Sequence, residues 1–263
     1  MASFGILRLA GTLAPPTTED VTMKLPRIHG IIRRRILVNF RADPEVIQRQ
    51  LPANFRPKLH DGSAIAGICL IRLEQIRPIG LPSFTGLSSE NAAHRIAVQW
   101  QDESGQPQEG VFIPRRDTNS FLNHAAGGRL FPGEHHHADF HVTNSSDRID
   151  FEMKSRDGTV AVQLRGHLAK SLPPTSKFTT LPEASNFFEA GAVGYSVTRD
   201  QNRLDGIRLQ TKTWQVEPLE VEHVRSSYFA DEAKFPKGSV SFDCALLMRD
   251  IEHEWHTVPD FRL

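Results

Sequence analysis

Apolar and polar residues alternate with a period of two along much of this chain. In "HRIAVQW" (94–100), Ile96, Val98 and Trp100 stand against Arg95, Ala97 and Gln99, which is the period of a strand. "RRRILVNFR" (33–41) reads as a strand and "AIAGICLIRL" (64–73) as a buried one. "SRDGT" lies between "IDFEMK" and "VAVQLRG" and predicts a hairpin. "GIRLQTKTWQV" and "GSVSFDCALLM" complete the strands. Helical signals are fewer. "DPEVIQRQL" (43–51) predicts a short helix, with Asp43 as its cap and Pro44 at the first helical position. "PEASNFFEAG" (182–191) predicts another, stopped by Gly191. With 17 prolines and 18 glycines, turns are frequent. The pattern is mostly β (α+β) with two or three helices, which favours a barrel or highly curved sheet over a βαβ array.

Composition narrows the class. At 263 residues the chain can bury a sizeable core, and 39% hydrophobic with 24% charged residues is ordinary for a globular protein. Lys+Arg and Asp+Glu both number 31, so no basic face argues for nucleic acid. No apolar run approaches the roughly 20 residues of a membrane-spanning helix. Cys69 and Cys244 both sit in apolar runs and read as buried thiols of a reducing, cytoplasmic setting. Arg8 interrupts the apolar N-terminal stretch and no cationic segment precedes it, so residues 1–22 read as a loose arm rather than a signal peptide. A single domain is expected over 23–263. Homo-oligomerisation is left open.

Two stretches could carry chemistry. "GVFIPRRDTNS" (110–120) reads as a strand running into Arg115 and Arg116, with Asp117 as the cap of a short helix over "TNSFLNHAAGG". Adjacent strand residues point to opposite faces, so one arginine at most should face the interior unless the turn rotates both. "EHHHADFHV" (134–142), read as a strand, puts His135, His137, Asp139 and His141 on one face as a candidate metal stripe. Next-but-one Cα atoms on a strand are roughly 6.6–7 Å apart, so two neighbouring histidines could share a metal but three would stretch. No established metal or cofactor motif supports a metal, and no cofactor is expected. Glu90, in "ENAAHRI", falls just before a strand in a serine-rich stretch.

The ordered landmarks "VNFRADPEVIQRQLP", "SSENAAHRIAVQW", "GVFIPRRDTNS", "AGGRLFPGEHHHADF" and "FPKGSVSFDCALLM" resemble the acetoacetate decarboxylase-like superfamily, and most of all its uncharacterised YqjF-like branch. The likeness runs from about Arg33 to Met248. It implies a cone-shaped β-barrel with a central cavity and a few short flanking helices. "FRAD" (Phe40–Asp43) stands where acetoacetate decarboxylases have Tyr-Arg-Thr-Asp, and the resemblance maps a substrate-site arginine onto Arg33. It maps a catalytic glutamate onto Glu90, and the family's Pro-Lys-Lys onto Pro114-Arg115-Arg116. The first of those lysines forms the Schiff base and the second lowers its pKa. An arginine cannot replace that lysine, because imine formation needs a primary amine that can lose its proton and guanidinium stays charged.

These residues lead to an expectation of a protein that binds a small carboxylate or other anion between Arg33, Arg115 or Arg116, beside Glu90, without imine chemistry. Three readings follow. One is a lyase- or hydratase-type enzyme in which arginine polarises the substrate and Glu90 moves a proton. The second is a non-catalytic ligand-binding or sensor protein. The third is a metal-dependent enzyme using the stripe from His135 to His141.

Overall fold

The strands are long where apolar residues run without interruption. In the computed structural model, which describes residues 27–121 and 132–263, "AIAGICLIRL" lies within the strand β4 (Ser63–Pro78). It is flanked by β1 (Ile28–Ala42) and β5 (Leu87–Gln101), both antiparallel to it. All three are buried on both faces, which is why their sequences are apolar at odd and even positions alike. Ile36, Val38, Ala66, Ile68, Leu70, Ile96 and Val98 pack to one side. Leu37, Ile65, Cys69, Ile71, Ala93 and Ala97 pack to the other.

The remaining strands are β2 (Arg56–Pro57), β3 (Leu59–His60), β6 (Pro107–Thr118), β7 (His135–Asn144), β8 (Arg148–Ser155), β9 (Ala161–Leu168), β10 (Val193–Val197), β11 (Arg203–Thr211), β12 (Glu217–Ser226) and β13 (Val240–Arg262). Together they form one 13-stranded sheet. The pairing returns on itself. β6 joins β7, β8, β9, β12, β13, β1, β4 and β5 in turn, and β5 pairs again with β6. A second circuit leaves β6 through β10 and β11 to reach β13. The first side of the shared strands packs against Phe151 and Met153 of β8 and Val162 and Leu164 of β9. The second side faces Ile113, Phe178 and Phe188.

Local signals in the sequence account for both described α-helices. In α1 (Pro44–Gln48) the Asp43 carboxylate accepts from the backbone N–H groups of Glu45 and Val46. In α2 (Leu181–Glu189) the Thr180 hydroxyl accepts from Glu183 N–H, and Glu183 in turn accepts from Thr179 N–H. Nine residues are too few for a helix to persist alone in water. Ala184 and Phe188 anchor α2 on the second side of the sheet, and a buried phenylalanine contributes about 1.5–3 kcal/mol.

The expectation for Asp117 is corrected. It lies inside β6, fully buried, and accepts from Arg115 instead of capping a helix. Its carboxylate is held by the Arg115 guanidinium, two residues away on the same strand face. The helix expected beyond Asp117 and the arm over 1–22 fall largely or wholly outside the described residues. No helix among the described residues is long and apolar enough to cross a membrane.

Candidate functional site: an arginine-lined cavity

The two arginines of "PRRD" point to opposite sides of β6. The cause is a bulge. Between the pairs His94–Arg115 and Ile96–Phe112, β5 advances two residues while β6 advances three. The extra residue puts Ile113 and Arg116 on the second side of the sheet, and Arg115 and Asp117 on the first.

Arg116 faces a cavity of about 320 Å³. Two further guanidiniums reach it, from Arg35 of β1 and Arg95 of β5. Its walls are otherwise mainly apolar, with Ile71, Ile113, Phe188 and Trp214 among them, and Asp117 and Glu189 are the carboxylate residues on its lining. Arg116 Nε donates to Ser196 Oγ at 2.9 Å. Arg95 is 5% exposed, donates from Nη2 to Asn39 Oδ1 at 2.5 Å, and stacks over Phe188 at 5.0 Å. Its Nε has no hydrogen-bond partner, and neither does Arg35 Nη1. Among the described residues no carboxylate forms a salt bridge with Arg35, Arg95 or Arg116. Asp205, which acts on Arg116 from a distance, pairs with Arg203 at 3.4 Å. Burial pushes both Arg95 and Arg116 down to about 10, so each keeps its charge at neutral pH. His135 of β7 lies level with Arg116 across a short parallel ladder and also lines the cavity.

The other expected site residues lie elsewhere. Arg33 projects from the outside of β1, where it donates to Glu74 at 3.0 Å and to Asp250 at 2.5 Å. Two carboxylates in solvent hold it away from the cavity, so its assignment as a cavity arginine is corrected. Glu90 sits within β5 and not before it, on the first side of the sheet, and accepts from Arg34 Nη2 at 2.6 Å. Burial raises the Glu90 carboxyl above the usual range despite the opposing pull of Arg34. Glu90 does not line the cavity with Arg116. Arg115 is bound by Asp117 at 2.7 Å, Asp157 at 2.9 Å and Thr159 at 2.9 Å. Among the expected groups, Arg115 and Glu90 therefore share the first side, while Arg116 alone of the expected arginines lines the cavity.

The histidine stripe separates along β7. His135 is buried beside Arg116, with Nδ1 at 3.1 Å from the Gly133 carbonyl. His137 lies with Nε2 at 3.3 Å from the Asn119 carbonyl. Asp139 is exposed and accepts from Arg156 at 2.7 Å, and His141 is exposed on the outside of the sheet. Among the described residues no group of three or more His, Cys, Asp or Glu side chains gathers as a metal site would.

Residues 32–248 match the DUF2071 family, described as an uncharacterized conserved protein. The chain belongs to that family. No curated protein matches it. Solved structures similar in fold include acetoacetate decarboxylase from Legionella pneumophila subsp. pneumophila str. Philadelphia 1, at 12% identity and a TM-score of 0.56, covering 98% of this chain and 99% of that one. An acetoacetate decarboxylase-like enzyme from Sphingomonas wittichii RW1 has 11% identity and a TM-score of 0.56, covering 97% and 99%. The enduracididine biosynthesis enzyme MppR, complexed with pyruvate, has 11% identity and a TM-score of 0.56, covering 94% of each chain. The fold is acetoacetate decarboxylase-like.

Arg35, Arg95 and Cys69 are cavity residues that the sequence reading did not single out. The available signal was Arg95. It alternates with apolar residues in a strand whose other positions are also apolar, which makes it a cation on a buried face.

Proposed function

We propose that this protein binds a small carboxylate in the cavity lined by Arg35, Arg95 and Arg116. The observation that carries this reading is three guanidiniums converging on one cavity, with no carboxylate among the described residues paired to any of them. A buried charge without a counter-charge is costly by several kcal/mol, and a bound anion removes that cost. Guanidinium forks match carboxylate oxygens in pairs, which favours a carboxylate over a halide. The mainly apolar wall would hold the body of the ligand.

Imine chemistry is not part of this reading. No lysine is among the described residues lining the cavity, and the resemblance maps the family's lysine pair onto Arg115 and Arg116. MppR, similar in fold, has been seen with pyruvate, which is in keeping with a carboxylate here. The closed circuits of strand pairing support the barrel implied by the resemblance, with the ligand inside it. Two free, buried cysteines support a reducing compartment.

Thermal unfolding of the whole chain with a series of small carboxylates tests the reading. A true ligand raises the melting temperature in a saturable and salt-sensitive way, adding about 2.7 kcal/mol at 100 times its dissociation constant. The reading fails if no carboxylate stabilises the protein beyond chloride at the same ionic strength.

A further inference from the structure

Cys69 lies among the three arginines. Its Sγ accepts from Arg35 Nε at 3.3 Å, and it lines the same cavity. Negative charge on this sulfur would act on Arg95 and Arg116 as well, raising the proton affinity of both. Gly67, two residues earlier on the same face of β4, answers to the neighbouring strand: a Cβ there would lie 2.4 Å from the Val38 carbonyl oxygen, whereas its 3.4 Å from Arg95 Nη2 would be ordinary contact. Arg95 lines the cavity, deeply buried and with Nε unpartnered. Cys244, the other cysteine, is fully buried and does not line the cavity. Burial pushes its thiol up to about 12.

We infer that Cys69 is the nucleophile of this cavity, and that the ligand is a small carboxylate carrying an aldehyde or ketone carbon. The inference rests on the anion-site reading above. The ligand's carboxylate takes part of the guanidinium set and sets its carbonyl against Sγ. The sulfur lone pair forms the C–S bond as the carbonyl π pair moves onto oxygen. The thiol proton ends on that oxygen through solvent, giving a thiohemiacetal or thiohemiketal with no gain or loss of electrons. The remaining guanidinium donors stabilise the oxyanion as it forms. Attack by sulfur needs no amine, so this site has a covalent route to a carbonyl that does not depend on a lysine.

Differential alkylation of the native full-length chain tests the proposal, with peptide mapping to separate Cys69 from Cys244. An unassisted thiolate repels an anionic reagent, whereas an arginine-lined cavity concentrates one. Iodoacetate should therefore alkylate Cys69 about tenfold faster than the neutral iodoacetamide does, and neither should modify Cys244. Glyoxylate should protect Cys69 better than glycolate, which has the same carboxylate but no carbonyl. In Cys69→Ser the two should raise the melting temperature equally, and in Arg116→Gln the preference for iodoacetate should disappear. A Cys69 that is inert to both reagents, or that favours iodoacetamide in the native state, overturns the proposal, as does equal protection by glyoxylate and glycolate. If Cys69 is inert while carboxylates still stabilise the wild type, the nucleophile falls and the anion site stands. If carboxylates also have no effect, both readings fall together.

Discussion

Arg115 and Arg116 are adjacent in sequence and serve opposite sides of one strand. Arg115 donates to Asp117 at 2.7 Å on the first side, and Arg116 to Ser196 at 2.9 Å on the second. Arg115 therefore has paired counter-charges, whereas Arg116 forms no salt bridge among the described residues, with Asp117 and Glu189 elsewhere on the cavity lining. Arg115→Ala strands the Asp117 carboxyl, which is fully buried, and should cost about 3–5 kcal/mol in denaturant unfolding. It should leave the response to carboxylates in place. Arg116→Met removes a half-buried charge that has no salt bridge among the described residues, so it should cost far less and should abolish that response. Equal carboxylate responses in the two variants would remove Arg116 from the ligand site.

The same contrast applies to Arg95. Among the described residues it donates to the Asn39 side chain, at 2.5 Å, so Arg95→Lys keeps a charge but loses the fork and the stacking on Phe188. Carboxylate affinity should fall by about tenfold, equivalent to about 1.4 kcal/mol. Titration calorimetry on the folded variant measures it, and an unchanged dissociation constant would confine Arg95 to a structural part.

Much of the fold was legible in the sequence because its causes are local. Asp43-Pro44 set the start of α1, Gly191 follows the end of α2, and the "SRDGT" turn set the β8–β9 hairpin, while the Thr180 cap of α2 came only from the structure. Alternation located β5 and β7. The cavity was less legible because its position depends on a single inserted residue. A strict period of two would put Ile113 and Arg116 on opposite faces, and only the bulge opposite His94–Ile96 brings them together. Arg33 was misplaced for a related reason. In "RRR" three cations share one strand, and pairing partners far along the chain sort them: Glu74 and Asp250 hold Arg33 outside, Glu90 holds Arg34, and Arg35 is left to the cavity. Nothing within the tripeptide distinguishes them.

Arg34 and Glu90 form a nearly enclosed pair, with Arg34 side-chain exposure at 3% and Glu90 at 12%. Burial already disfavours the Glu90 charge, so the pair is retained at a cost in desolvation. Glu90→Gln should destabilise by about 3–5 kcal/mol by leaving Arg34 uncompensated, while Arg34→Met combined with Glu90→Leu should fall much closer to the wild type. A double-mutant cycle measures the coupling, expected above about 0.5 kcal/mol. Purely additive losses would mean the two side chains do not act as a pair. Glu90→Gln should also leave carboxylate binding intact, since Glu90 is not a cavity residue.

Two buried histidines contribute to the acid limb of stability. Burial, aided by the nearby Arg115 charge, pushes His94 down to about 3. Burial, with His29 and Arg35 nearby, pushes His253 down to about 4. Their unfolded values are about 6.5. A base with a depressed folded pKa contributes stability that is complete above the unfolded value and is lost as pH falls below it. Each histidine should therefore cost up to about 1.4 kcal/mol per pH unit between pH 6 and 4. Glu90 and Asp117, held above the usual carboxylate range by burial, act in the opposite sense on acidification. The informative quantity is thus the difference between wild type and variant, not the wild-type slope alone. His94→Gln retains a side-chain amide able to donate to or accept from Ser226 Oγ, which lies 3.0 Å from His94 Nε2, and should flatten the unfolding free energy against pH by close to one proton. Urea unfolding at half-unit steps from pH 7 to 4.5 measures this, and parallel curves for wild type and variant would show that His94 is not held neutral by the fold.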